Sequence, residues 1–469
     1  MSMIPRSIEF DPLLMARYDM PAPRYTSYPT APQFHAGFGE AQLCQAIIAS
    51  NEATPQRPLS LYVHVPFCWS PCFYCGCTRI ITRDSRNADK YLEYLHRETA
   101  MIARMFDARR PVRQLHFGGG TPNFLDIPRL KTLMCDLAAH FHFAKDGDEV
   151  EAGIEVDPRF ADFDYVCELG TLGFNRISIG VQDFDPAVQA AVNRIQTLEQ
   201  TAAVVEGARA ADFRSVNIDL IYGLPKQTLD GFAQTLDQTI GLAPDRVAVY
   251  GYAHLPRLFK AQNQIASADL PDPATRLKLL GLALGKLLDA GYVYIGMDHF
   301  ARPDDELVRA QRRGTLQRNF QGYSTGSDCD IVGLGMSAIG RIGGCYSQNA
   351  RDLPGYYMAL DNGRLPVMRG IVLDDDDVIR GAAISELMCH GMLDMHSFGA
   401  RHGIVFADYF VAELDRMRQF VADALVELDS RMLRVTARGR FLMRNVAMCF
   451  DAYLPGEAQA PQPRYARSI

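Results

Sequence analysis

No run of about 18 uninterrupted apolar residues occurs in this 469-residue chain, so no membrane-spanning helix is expected. The opening stretch, MSMIPRSIEFDPLLMARYDM, carries acids and has no apolar core segment. It does not read as a secretory signal, and the expected location is the cytoplasm. Basic residues are not in excess: the net charge is −7, which gives no general case for nucleic-acid binding. There is one tryptophan, Trp69. Paired C-x2-C knuckles in separate places, the usual mark of structural zinc, are missing. Of the 11 cysteines, Cys44, Cys135, Cys167, Cys329, Cys345, Cys389 and Cys449 are scattered singly and read as small buried hydrophobes. An odd total with one tight cluster argues for a reducing compartment and a metal site, not a disulfide framework.

What is present is an ordinary globular composition, 48% hydrophobic, in a chain long enough for two or three domains. Residues 1–55 read as an arm, whose APRYTSYPTAP stretch (22–32) is extended because prolines disfavour helix. From about residue 60, short apolar runs alternate with stretches of helical spacing. Strands are expected at 61–67, 113–120, 150–158, 174–182, 216–224, 246–255 and 292–300. Repeated strand–helix units without a dinucleotide fingerprint imply a parallel sheet of barrel or partial-barrel type over 56–305. Each strand ends in unusual chemistry, such as GGGTP, EVDP, VQDF and YAHLP. In barrels of this kind the active site forms at those strand ends. Residues 306–365 break the rhythm and read as a connecting, active-site segment. Residues 366–469 read as a mainly helical domain with a winged-helix-like hairpin near 424–450. The DDDD run at 374–377 favours a packing or lid role for it over DNA binding.

The cluster lies in VPFCWSPCFYCGCTRI (65–80), with Cys68, Cys72, Cys75 and Cys77 in the order C-x3-C-x2-C-x-C. That spacing is too compressed for four sulfurs to surround one tetrahedral ion easily, whereas an iron–sulfur cube accepts ligands from one loop. Cys68, Cys72 and Cys75 would hold three irons and leave the fourth open. Cys77 would close that iron if it bound, so it is expected not to be a ligand. It is instead assigned a catalytic place on the substrate side of the pocket, where it shapes the site or handles a proton or electron.

C-x3-C-x2-C with Tyr74 before its last cysteine resembles the signature of radical S-adenosylmethionine (SAM) enzymes. The resemblance implies a [4Fe-4S] cluster, a 5′-deoxyadenosyl radical derived from SAM, and an α/β fold built on a partial (β/α)6 barrel. In order along the chain, PRYTSYPT, YVHVPFC, CGC, HFGGGTP, IEVDPR, FNRISIGVQDF, NIDLIYGLPKQT, YAHLP and GMDHFARPDD are similar to the oxygen-independent coproporphyrinogen III oxidases. That family resemblance implies oxidative decarboxylation of two propionates to vinyls in heme biosynthesis, with two molecules of SAM. It puts Tyr62, Gly119 and Glu155 at the iron-bound SAM. It puts Tyr74, Gly120, Thr121, Gln182, Arg194, Asp219, Ala253 and Ile339 at the second.

Arg24 is a candidate for substrate carboxylates. His64, Asp298 and His299 lie on expected strands facing the site, with no role fixed. Trp69 is expected to cover the cluster loop. The expected partners are the porphyrinogen substrate and an electron donor such as flavodoxin or ferredoxin, with the chain a monomer. A related heme chaperone is the alternative, and a zinc-dependent DNA-binding regulator a further one. Such chaperones typically lack the fourth cysteine and the PRYTSYPT arm, both present here.

Overall fold

The structure, a computed structural model, describes residues 8–143, 150–325, 329–454, 465 and 467. The first seven residues of the expected arm, positions 326–328 of the Gly/Ser-rich segment and most of the tail past 454 lie outside them. Two compact units emerge, and they interleave along the chain where the sequence reading has four consecutive segments. One unit takes Phe34–Asp272 and Gly326–Val372; the other takes the chain up to Gln33, Pro273–Thr325 and the chain from Leu373 onward.

The first unit carries six parallel strands: β1 (Leu59–Val65), β2 (Pro111–Gly119), β3 (Glu151–Val156), β4 (Arg176–Gln182), β5 (Ser215–Tyr222) and β6 (Arg246–Gly251). They are ordered β6-β5-β4-β3-β2-β1. The intervening helices include α1 (Arg86–Ala103), α2 (Ile127–His140), α3 (Phe163–Thr171), α4 (Leu198–Ala210) and α5 (Leu229–Gly241). Local sequence explains where α2 to α5 start. Asp126, Asp162, Thr197 and Thr228 each accept a first-turn N–H on their side chain. Thr197 and Gln200 cap reciprocally.

Along the strands the side chains alternate. Leu61, Val63, Leu115, Phe117, Ile154, Ile177, Ile179, Ile218 and Leu220 are buried. Full burial of such a side chain contributes about 1.5–3 kcal/mol. The alternate positions, among them Tyr62, Glu155, Ser178, Gly180 and Asp219, are polar or lack a side chain. Period-two alternation therefore gives one apolar face and one face available for chemistry.

Six of the seven expected strands form. The seventh, at 292–300, is instead a hairpin, Val293–Gly296 with His299–Ala301, in the other unit. Gly296, Met297 and Asp298 all have positive φ, so the chain reverses there. The Gly/Ser-rich segment hides a seventh parallel strand, β7 (Asp330–Leu334), which pairs with β1 from Leu59↔Asp330 to Val63↔Leu334. Glycine obscures the pattern for a reason: a Cβ on Gly333 would stand 2.7 Å from the Ile339 carbonyl carbon as the chain turns back. Antiparallel β8 (Ile339–Ile342), β9 (Cys345–Asn349) and β10 (Val367–Val372) continue the sheet beyond β7.

The second unit has its own core, which includes Phe398, Phe406, Phe410, Met417, Leu433 and Phe450. Helices surround a three-stranded antiparallel sheet of Met392–Asp394, Met432–Val435 and Val426–Leu428, the hairpin expected near 424–450. The DDDD run is a helix start. Asp374 caps Asp375–His390 in a box with Asp377, and the remaining acids sit at the positive end of the helix dipole. Among the described residues, no helix is long and apolar enough to cross a membrane.

Candidate active site

The cysteine loop leaves β1 at Pro66 and is pinned at its base. Ile80 N–H donates to the Pro66 carbonyl (2.7 Å) and Thr82 N–H to that of Cys68 (3.0 Å). Inside the loop, the Arg79 guanidinium donates to three carbonyls: Cys75 (3.0 Å), Cys77 (3.3 Å) and Cys72 (3.2 Å). One side chain thus replaces the backbone pairing that an irregular loop lacks. The buried Gln262 amide bridges the Tyr74 carbonyl (2.9 Å) and the Ala253 carbonyl (3.1 Å), joining the loop to the segment after β6. Phe259 lies against Gly76, where a Cβ would come within 2.9 Å of its ring.

A cavity of about 230 Å³ opens over this loop. The loop gives Cys68, Cys72, Tyr74, Cys75 and Cys77 to its wall; the end of β2 gives Gly119, Gly120 and Thr121. Glu155, Gln182, Asp219 and Arg194 complete the expected residues on the wall. Tyr62, Ala253 and Ile339 do not line it. Tyr62 stacks on His116 and meets His64 Nδ1 at 3.2 Å; Ala253 is tied through Gln262; Ile339 opens β8. Trp69 lies on the wall with its ring 4.3 Å from that of Phe124. Arg24, Asp298 and His299 belong to the second unit, where Arg24 Nη2 donates to Asp298 Oδ2 at 2.8 Å.

The sulfurs are well supplied with donors. Thr121 Oγ1 donates to Cys68 Sγ (3.2 Å), and the Cys77 N–H to Cys75 Sγ (3.4 Å). Two guanidiniums, Arg159 (3.5 Å) and Arg194 (3.4 Å), reach Cys72 Sγ. Burial pushes the Cys68 thiol up to about 11. The hydrogen bond with Cys77 lowers Cys75 to about 6, and the Arg79 charge helps against burial. Asp157 lies between Arg159 (2.6 Å) and Arg194 (3.0 Å). Burial would raise its carboxyl, but the two guanidiniums outweigh it and hold it below its ordinary value. Asp219 is pushed the other way, to about 6, by burial that the Asn217 and Ser178 hydrogen bonds only partly offset.

The donor set fits a cube better than a single ion. Three thiolates on one zinc at ~2.3 Å would have sulfurs about 3.8 Å apart. Among the described residues, the only three ligand-type side chains converging within 4.8 Å are His96, Asp136 and His140, so the three cysteine sulfurs spread wider than that. A [4Fe-4S] cluster takes thiolates set wider apart than a single ion does, and donors to its sulfurs stabilise it.

Two glycines set the shape of the opposite wall. Gly119 has φ 116°, and a Cβ there would stand 2.6 Å from the His64 ring. His64 is held by Thr78 O (3.1 Å) and Tyr62, so moving it aside would break those contacts. A Cβ on Gly120 would meet the Pro66 carbonyl oxygen at 2.7 Å. Gly119→Ala is expected to lose about 1–3 kcal/mol of stability from the strained backbone alone. Thermal unfolding together with equilibrium SAM binding checks this; wild-type values in both would contradict it.

Gln182 also has positive φ (72°), at a bulge where the β4–β5 register slips. Bulges beside active sites re-aim side chains, and this one lies where Gln182 joins the cavity wall. The sequence alone marks no role for Arg79, Arg159, Asp157 or Gln262. Asp157 and Arg159 stand in the quoted IEVDPR motif, which was the available signal. Gln262 had none, because only the folded chain brings it to Tyr74.

Comparison with known proteins places the whole chain. The Radical SAM superfamily profile matches residues 62–239, and the HemN C-terminal domain profile matches 373–442. A relative from Pseudomonas aeruginosa, an oxygen-independent coproporphyrinogen III oxidase, is 50% identical over 96% of this chain and 97% of its own. The Escherichia coli protein of that name is 47% identical over 97% and 98%. The solved structure of coproporphyrinogen III oxidase (HemN) from Escherichia coli, described as a radical SAM enzyme, superposes with a TM-score of 0.91 at 47% identity, covering 96% of this chain and all of that one. The cysteine loop, the parallel strands beneath it and the C-terminal domain thus lie in a chain that belongs to the oxygen-independent coproporphyrinogen III oxidases of the radical SAM superfamily.

Proposed function

We propose that this chain decarboxylates two propionate side chains of coproporphyrinogen III to vinyl groups without oxygen, giving protoporphyrinogen IX for heme biosynthesis. The observation that carries this reading is near-full-length identity to relatives of that name. Each propionate gives up one hydrogen atom, one electron and carbon dioxide to become a vinyl group. When bound, the cluster and SAM supply hydrogen-atom abstraction from carbon, which no closed-shell side chain can perform.

The protein's share is positioning. Cys68, Cys72 and Cys75 would hold the cluster; Thr121 directs a donor at the Cys68 sulfur, and Arg159 and Arg194 at that of Cys72. Gly119 and Glu155 on the cavity wall, with Tyr62 behind them, would receive the SAM that the cluster binds. Gly119 N–H already donates to Glu155 Oε2 at 3.3 Å, which orients that carboxylate on the wall. Tyr74, Gly120, Thr121, Gln182, Arg194 and Asp219, which line the cavity, would hold a second SAM, with Ala253 and Ile339, which do not line it, completing the set that the family resemblance implies. Cys77, exposed on the cavity wall, acts on the substrate side. A flavodoxin or ferredoxin delivers the electron, and the chain works as a monomer in the cytoplasm. The domain plan of arm, barrel, connecting segment and C-terminal domain serves the same reading.

Counting products tests it. Under anaerobic turnover, two SAM and two carbon dioxide are expected per protoporphyrinogen IX. Gln182→Ala should lower SAM occupancy and turnover while leaving iron and sulfide intact. One SAM per product, or normal turnover in the variant, would contradict the two-SAM arrangement.

A further inference from the structure

Away from the cysteine loop, α1 and α2 are joined by Arg129 of α2, whose guanidinium pairs with Asp89 of α1 at 2.7 Å. Further along the same pair of helices, His96 of α1 meets Asp136 and His140 of α2. We propose that His96, Asp136 and His140 bind a divalent transition-metal ion of the zinc type, at a site separate from the iron–sulfur loop.

Each of the three offers one ligand atom, and all three atoms lie within 4.8 Å of one another. Asp136 Oδ1 is hydrogen-bonded to His96 Nδ1 and stands 3.2 Å from His140 Nδ1, which itself donates to the Asp136 backbone carbonyl at 2.9 Å. Nitrogen and oxygen ligands at about 2.0–2.2 Å from a tetrahedral zinc would be roughly 3.4 Å apart. The present separations are close to these, and binding asks His140 Nδ1 to release the Asp136 backbone carbonyl so that the ion takes the place of the protons on the two imidazoles. Asp136 Oδ2 is buried and has no hydrogen-bond partner, so the carboxylate keeps an unused electron pair there. Spacing four apart puts Asp136 and His140 on one face of α2. His140 ends the helix and Asp136 stands one turn before it, near the end where the helix dipole favours a cation.

Two imidazoles and one carboxylate suit zinc better than calcium or magnesium, which prefer all-oxygen sets. Three protein ligands leave a position for water. His96 is 57% exposed, and an open cavity of about 360 Å³ lined by His96, Asp136 and Glu93 gives an ion its way in. The site would fasten α1 to α2 on the path between β1 and β3.

Equilibrium dialysis of anaerobically reconstituted, cluster-loaded protein against micromolar zinc chloride tests the proposal. One zinc per chain beyond the cluster metal is expected. His96→Ala and Asp136→Asn should each weaken it at least about tenfold, a loss that even outer-shell partners of a metal produce. Iron and sulfide contents should not change. Cobalt substituted for zinc should show visible d–d bands without a thiolate charge-transfer band. Absence of saturable zinc, equal zinc in wild type and the His96→Ala variant, or a thiolate–cobalt band would overturn the assignment. Should Asp136→Asn fail to fold, the exposed His96→Ala substitution carries the comparison.

Discussion

Cys72→Ala protein, purified and reconstituted without oxygen, is expected to hold no cluster iron or sulfide and to show no detectable decarboxylation. Thiolates are the protein's anchors for such a cluster, and three leave no redundancy. Cys72 is also the sulfur that both Arg159 and Arg194 address. The fold should survive the change, because both guanidiniums keep Asp157 as a partner. Circular dichroism separates cluster loss from unfolding. Cys135→Ala, at an exposed cysteine away from the loop, serves as the control and should retain iron, sulfide and turnover. A cluster-replete, active Cys72→Ala protein would remove Cys72 from the ligand set.

Cys77→Ser is expected to keep iron, sulfide and SAM binding, yet to lose about 10²-fold or more of its decarboxylation, the size of a lost proton-handling group. The argument is positional. Cys77 shares the cavity wall with Glu155 and Asp219, and its backbone N–H supports Cys75 rather than leaving the loop. Serine keeps the outline and a hydrogen-bond donor but not the sulfur chemistry. Near-normal turnover would make Cys77 a passive thiol, whereas loss of the cluster would make it a fourth structural ligand.

Much of this arrangement is legible before folding, and the reason differs by residue. The parallel strands show because their apolar runs are short and bounded by helical spacing. The cysteine loop shows because its three-two-one spacing is rare. Gly119 shows as part of GGG, although its φ and its contact with His64 appear only in three dimensions. β7 is hidden because Gly333 removes a side chain where the backbone turns back. The 292–300 segment misleads because positive φ at Met297 and Asp298 has no composition signal, and so a hairpin reads as one strand. Arg79 and Gln262 are invisible for a shared reason. They bond to backbone carbonyls, and which carbonyls are left unpaired is a property of the folded loop. His96, Asp136 and His140 escape a motif reading because their ligand set is divided between two helices.

The central claim, porphyrinogen decarboxylation driven by a SAM-binding cluster, is tested most directly by anaerobic incubation of reduced, cluster-loaded protein with coproporphyrinogen III and SAM, followed by product chromatography. Protoporphyrinogen IX is expected when SAM, reductant and cluster are all present, and not when any one is withheld. An unchanged substrate peak from cluster-replete protein that binds SAM would contradict the account.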